Sequence, residues 1–443
     1  MKALLNVLFI CSGFLIFAQK GLDDFLSYSF PSHLKAADHI GKIAWVVNEK
    51  GIRNVYSAQA PAYKAVKETQ YFLDDGIEIS QLLFYRSGLI FVRGSAPNKE
   101  GEFPNPYLDV KGTDQAIFLS SNKRVQKLTE GSGPLLRGEV MCFINKGQIY
   151  EYNFTDKLAR QLFITRGQIG SLRLSPDENK LAFISHRGDH AFLGIYDFNN
   201  QSITYPDPTV DIDSDPAWSP ESDQIAVLRR PYDPRLMFIS KLTAQPFSIR
   251  LINIEDGKSK TLWQADEGEG SAFYGLSSGQ QLFWMLNNEI IFPWEKEGWL
   301  HLYAVSTKEG KAKLLTPGNF EIQYVSQSPD RSFLLFSSNR GDLNRQHIGK
   351  WKDLKITQIT KGKGIEWSPV SDGLGNNFAL GSSGLEPAAV KRLEQGKINT
   401  IFSSEDYPSS DLTLPEAVVF SAADGVKIHG QLFLPKGLKT DQK

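Results

Sequence analysis

A β-propeller is the fold class that this chain predicts, on three observations. After residue 40 no long stretch sustains apolar residues at spacings of three and four, so extended helices are not expected. Short alternating or apolar runs recur instead between clusters of Gly, Asn, Asp and Pro, which is the pattern of strands and turns. A phrase also repeats: Ser175-Pro176-Asp177 precedes Lys180 to Ile184, Ser219-Pro220-Glu221 precedes Gln224 to Leu228, and Ser328-Pro329-Asp330 precedes Ser332 to Phe336. Trp367-Ser368-Pro369 reads as a fourth, degenerate copy.

Each copy has the physical logic of a hairpin. One strand ends at Ser-Pro, Pro presets its own φ angle, and the acidic residue can bond back to the turn amides before the next apolar strand begins. A polar turn and a third strand such as Phe192 to Tyr196 follow, then a fourth such as Thr261 to Trp263 or Lys313 to Leu315. Four short strands per repeat of roughly 40 residues mark a propeller blade. The count gives eight blades, near 40–66, 77–129, 135–166, 167–205, 211–264, 278–316, 320–360 and 363–402, with seven as the alternative. An array of sandwiches would lack the repeated phrase. Trp218, Trp263, Trp284 and Trp367 fall at strand positions and are expected in blade cores rather than stacked on sugar.

From Pro415 the pattern changes. Glu416 to Ser421, Asp424-Gly425 and Val426 to Leu434 read as a two-strand hairpin turning on Asp-Gly. A hairpin alone is marginal in water, so it is expected to belong to a further sheet. The organisation read from the sequence is a leader over 1–18, an N-terminal segment over 19–39, the propeller over 40–405, and a linker with the opening hairpin of another domain over 406–443.

The leader is an export signal: Lys2 is followed by an apolar run from Ala3 to Phe17, and Ala18 ends a small-residue cleavage site. The run is slightly short for a membrane span, so no stable anchor is expected and the mature chain is placed in the periplasm or outside the cell. Cys11 lacks the small preceding residue of a lipid-modified cysteine, and its removal leaves Cys142 with no partner for a disulfide. In the 443 residues, 49 Lys and Arg balance 50 Asp and Glu, which excludes the basic excess of a nucleic-acid binder. With 41% hydrophobic residues the chain can dispense with disulfides, because its core is large enough.

Phe292-Pro-Trp-Glu-Lys-Glu-Gly-Trp-Leu-His-Leu-Tyr303 resembles the Gly-Trp-x-His-Leu-Tyr segment of propellers in the dipeptidyl peptidase IV branch of the prolyl oligopeptidase family. Leu315-Thr-Pro-Gly318, Ser328-Pro-Asp330 and Phe336-Ser-Ser-Asn-Arg-Gly-Asp342 are similar to the next blade elements of that group. The hairpin that ends Asp424-Gly-Val-Lys-Ile-His-Gly-Gln-Leu-Phe-Leu-Pro435 resembles the opening of its α/β-hydrolase domain. The resemblance implies an exported serine peptidase acting on short peptides, with the propeller as lid and size filter. Its Ser-Asp-His triad would lie in the α/β-hydrolase domain, the partner in cis, so residues 1–443 are expected to be inactive alone. A free-standing periplasmic propeller that binds a protein or glycan is the alternative, and a homodimer is left open.

Several residues invite other readings. Gly275-Leu-Ser277-Ser-Gly279 matches the nucleophile-elbow pattern, but polar, Gly-rich residues precede it and a strand follows, so a connecting loop is favoured. His186 and His190 flank Arg187-Gly188, which reads as a hairpin turn rather than a metal site. Asp211, Asp213 and Asp215 alternate as calcium ligands do, yet Pro216 and Ser222 break the pattern, and turn capping is favoured. Arg229-Arg230 is read as loop charge over a carboxylate fork. No cofactor and no metal are expected. Dipeptidyl peptidases of the resembling branch hold the substrate's amino terminus with paired glutamates, and this chain has no adjacent Glu-Glu. Glu295 and Glu297, beside Trp294 and Trp299, are the nearest acidic cluster and the candidate substrate contacts.

Overall fold

The computed structural model describes residues 21–435, apart from 99, 111, 233–244, 269, 395 and 406. The expected leader over 1–18 lies outside the described residues. Within them the chain is nearly all β, and its strands fall into eight antiparallel units of four, followed by the separate hairpin Glu416–Ser421 with Lys427–Leu432. The units span 30–67, 79–130, 132–163, 168–204, 212–264, 283–314, 322–358 and 364–402. The fourth and fifth join into one sheet through a single parallel pair, Ala191 with Ile212.

The first unit begins at Phe30, not at 40. Strand Phe30–Ala36 pairs with Lys42–Glu49, but a bulge between Ser32 and Lys35 interrupts its alternation and hides it from a search for period two. No helix among the described residues is long and apolar enough to cross a membrane.

The repeated phrase works through its serine. Ser175 Oγ accepts the N–H of Lys180 at 2.9 Å, Ser219 Oγ that of Gln224 at 3.0 Å, and Ser328 Oγ those of Ser332 and Phe333 at 3.1 and 3.0 Å. The acidic residue adds a second tie, since Asp177 and Asp330 accept the N–H groups of Asn179 and Ser332 at 3.1 Å each. Each hydroxyl thus satisfies a turn amide that the ladder leaves open. Trp367-Ser368-Pro369 behaves differently from the expectation. It lies inside strand Gly364–Ser371, at a bulge, and the hairpin falls instead on Asp372, whose Oδ1 accepts the N–H groups of Leu374 and Asn376 at 2.9 Å each.

That bulge recurs. His33, Gln81, Gly133, Ser171, Asp215 and Ser368 all sit at register shifts of a unit's first strand, with φ of 52°, 54°, 66°, 53°, 53° and 48°. A left-handed residue costs about 1–2 kcal/mol for anything but Gly. It persists here because the extra residue sharpens the twist at a fixed point of each unit.

Buried clusters join every neighbouring pair of units. One of the contacts is typical: Leu228, Phe247 and Trp263 of the fifth unit meet Trp284, Phe292 and Trp294 of the sixth. A further cluster unites the first unit with the last, through Leu34, Ile43 and Trp45 against Phe378, Leu380 and Val390. Each such large side chain contributes about 1.5–3 kcal/mol when fully buried. Trp218, Trp263 and Trp284 are buried in these interfaces, and half-buried Trp367 packs on the first-to-last cluster, as expected of blade core. Cys142 is a buried free thiol between the third and fourth units.

Polar groups close the same junction. Asp372, 1% exposed, accepts the hydroxyl of Tyr63 and the side-chain N–H of Asn376, while Gly373 N–H donates to Ala37 O at 2.9 Å. Replacing Asp372 with Ala strands a buried hydroxyl and two turn amides, and is expected to cost about 3 kcal/mol. The same change at exposed Asp177 should cost about 1 kcal/mol. Urea unfolding followed by tryptophan fluorescence measures both, and equal losses would refute a special role for the junction.

Candidate functional site

Antiparallel order decides which loops share a face. The turns from second to third strand, and the exits from one unit to the next, emerge together; the two remaining turns of each unit emerge on the opposite side. The connections of eight residues or more, 68–78, 94–115, 231–247, 265–282 and 339–346, all belong to the first group, as does 295–300. The chain also enters at Phe30 and leaves after Phe402 on that insertion face. The opposite face carries tight turns that tie to one another: Arg137 Nε donates to Glu178 O at 2.7 Å, Asp177 N–H to Ser222 Oγ at 3.1 Å, and Arg331 Nη1 to Trp218 O at 2.9 Å. Room for a site therefore exists mainly on the insertion face.

Glu295 and Glu297 lie on it, in the turn between Trp294 and His301. Glu295 is half-buried, with its backbone packed on Gly270, and Glu297 is exposed. Lys296 between them pairs with Asp266 at 3.0 Å and sits 4.8 Å from the centre of the Trp294 ring. Neither glutamate has an ion pair among the described residues, so both carboxylates are available to a cation. Beneath them burial pushes the Tyr303 hydroxyl up to about 12, aided by the charge of Glu297. Burial also holds His301 below its ordinary value, against the pull of Gly318 O and Glu297.

The alternating aspartates do not converge on a cation, and Asp213 does not cap a turn. Its carboxylate is fully buried and takes both prongs of Arg229, Nε at 2.7 Å and Nη2 at 3.0 Å, while accepting Leu193 N–H at 3.3 Å. Arg229 is accordingly a buried fork rather than loop charge. Its Nη2 also lies 3.1 Å from Asp207 Oδ2, which accepts Arg250 Nε at 2.8 Å, and Asp207 Oδ1 accepts the Ser259 hydroxyl at 2.9 Å. This network clasps the fourth unit to the fifth. Asp211 accepts Tyr232 N–H at 3.2 Å, and Asp215 occupies the bulge. Among the described residues no three His, Cys, Asp or Glu are placed to hold a metal.

Ser277 lies in the loop joining the fifth and sixth units, where its N–H donates to Gln323 O at 2.8 Å. No helix follows it, so the elbow geometry is lacking. His186 ends strand Lys180–His186, His190 precedes strand Ala191–Asp197, and His190 Nδ1 meets Asp189 at 2.7 Å. Neither histidine is brought to Ser277.

Sequence reasoning missed one polar cluster. His347 Nδ1 lies 2.9 Å from Glu366 Oε2, which also accepts the Thr360 hydroxyl at 2.7 Å; Thr360 Oγ1 accepts Ile348 N–H at 2.8 Å. The same Thr device serves Leu302 N–H with Thr316, beside His301, and Val55 N–H with Thr69. The signal was present as a His-apolar pair followed by an apolar-Thr pair, in His301-Leu302 with Leu315-Thr316 and His347-Ile348 with Ile359-Thr360.

No protein-family model matches the chain, and no curated protein is significantly similar to it. Solved structures do resemble it. A dipeptidyl peptidase 4 of Porphyromonas gingivalis aligns over 94% of this chain and 66% of its own, at 13% identity and a TM-score of 0.64. A puromycin-hydrolyzing peptidase of Mycobacterium tuberculosis aligns over 81% and 58%, at 14% identity and a TM-score of 0.55. A puromycin hydrolase aligns over 93% and 60%, with the same identity and score. The chain thus spans 58–66% of the length of these proteins. At such identities the likeness bears on fold, and the fold is a β-propeller.

The Asp207 network yields a pH dependence. Burial opposes its charge, but Arg250, Ser259 and Arg229 together hold its carboxyl below the ordinary value. A depressed carboxyl stabilises the fold fully above its unfolded range, about pH 4, and loses that contribution as pH falls through its own lower value. Asp207→Asn is therefore expected to cost about 2 kcal/mol at neutral pH and progressively less toward pH 2. Stability curves of both proteins across that range check it; a gap that stays constant would show that Asp207 does not titrate with folding.

Proposed function

We propose that this chain is the propeller portion of an exported serine peptidase that hydrolyses short peptides, with the propeller acting as lid and size filter. The observation that carries the reading is the convergence on one face of chain entry, chain exit, every connection of eight residues or more between the strands of the units, and two glutamates without an ion pair among the described residues. The hairpin that follows presents Val419, Phe420, Ile428 and Phe433 to solvent at 57%, 56%, 37% and 63% exposure, as strands that belong to a larger sheet would. Its sequence resembles the opening of an α/β-hydrolase domain, and the similar structures are peptidases by name. In this reading the nucleophile, general base and oxyanion donors come from that domain, which attacks the peptide carbonyl by acyl transfer. Glu295 and Glu297 then meet the ammonium of a peptide admitted from the insertion face, since a buried ammonium requires carboxylate partners.

The full product of the gene, assayed on proline dipeptide esters with free and blocked amino termini, tests this. Hydrolysis confined to short substrates is expected, with residues 21–443 alone inactive. Glu295→Gln with Glu297→Gln should raise KM for free amino termini about tenfold and leave blocked substrates unchanged, as loss of one charge-assisted contact does. A product without peptidase activity overturns the reading, and equal effects on both substrates would remove the glutamates from it.

A further inference from the structure

We infer that the seventh unit carries an oxyanion-binding pocket on the insertion face, separate from the Glu295 and Glu297 turn and independent of the peptidase reading. The cavity measures about 650 Å³ and opens where the exit loop of the sixth unit meets the central turn and exit loop of the seventh. Its wall includes the ring of Phe320, and the Arg340 guanidinium stands 6.0 Å from the centre of that ring. Lys361 joins Arg340 in the lining, and among the described residues neither cation is ion-paired. Asp342 also faces the cavity, but its carboxylate is already held by Arg345 Nη1 at 2.8 Å and Asn344 N–H at 3.0 Å. The local balance is therefore positive.

The base of the cavity is preorganised. His347 belongs to the lining, its side chain is 5% exposed, and its Nδ1 is held by Glu366, itself locked by Thr360. Three glycines complete the rim, Gly318, Gly341 and Gly362, at φ of 133°, 81° and 127°. With no side chains of their own, they leave backbone exposed along the lining. Two unpaired cations, a fixed imidazole, glycine loops and one apolar wall together fit a carboxylate or phosphate group rather than a cation or a neutral sugar.

Isothermal titration of the 443-residue chain with inorganic phosphate and with a blocked Glu-Glu dipeptide, at low and high salt, tests the pocket. Saturable binding of one probe per chain is expected, weakened by salt. The double variant Arg340→Ala with Lys361→Ala should lose at least about tenfold in affinity with an unchanged melting temperature, because both side chains are peripheral to the core. Lys123→Ala with Arg124→Ala, the same charge change on the opposite face, should leave affinity unchanged. Tighter binding of the dipeptide would identify the source as an acidic polypeptide, and tighter binding of phosphate a free anion. Absence of saturation with both probes, an undiminished affinity in the pocket variant, or equal losses in the two double variants overturns the inference.

Discussion

Every four-stranded unit is built from consecutive strands, so no strand is shared between the first unit and the last. Their union rests mainly on side chains, with the bond from Gly373 N–H to Ala37 O beside them. Trp45 and Phe402 approach at 5.9 Å between ring centres, Tyr63 and Phe378 at 4.9 Å, and Asp372 ties Tyr63 into the hairpin of the last unit. Main-chain ladders would have supplied a row of hydrogen bonds at such a seam; here a buried aromatic cluster and one satisfied carboxylate take their place. The remaining interfaces repeat this solution with different residues, which is why aromatic side chains are spread through all units rather than gathered in one core.

The units are kept alike by local chemistry. A serine hydroxyl closes the first turn of the fourth, fifth and seventh units, a threonine hydroxyl receives a third-strand amide in the first, sixth and seventh, and a left-handed bulge bends the first strand of the first five and the last. None of these depends on a distant partner, so each unit can reach its shape before its neighbours dock. Strain at the bulges is the cost, and it recurs where the strand has to bend.

How much was legible follows from this division. The Ser-Pro-Asp turns, the strand runs and the tryptophans are local features, and the sequence displays them directly. Strand Phe30–Ala36 and the Ser368-Pro369 bulge were misread because a bulge removes the period-two pattern and lends a turn phrase to a strand interior. The site was far less legible. Asp213 read as a turn cap and Arg229 as loop charge because nothing local shows that strands Ile212–Trp218 and Gln224–Arg230 present them to each other in a buried pair. His347 and Glu366 belong to different units, and only the packing of those units brings them to 2.9 Å.

The two faces differ for a physical reason. A turn that ties to its neighbour must be short and rigid, and the interlaced contacts of Arg137, Ser222 and Arg331 leave that side little freedom to carry long insertions. The opposite side holds the crossovers, which can lengthen without disturbing the ladders. Charges without an ion pair among the described residues stand there, Glu295 and Glu297 on the sixth unit and Arg340 and Lys361 on the seventh, as Lys123 and Arg124 do on the other face. Charges buried between units have partners too: Asp213 pairs with Arg229, and Lys42 donates to Ser87 O at 3.4 Å beside the Phe84 ring. A packed interface requires such partners, because an unmatched ion there would cost several kcal/mol. Charges on the connecting loops of either face are solvated and free of that requirement.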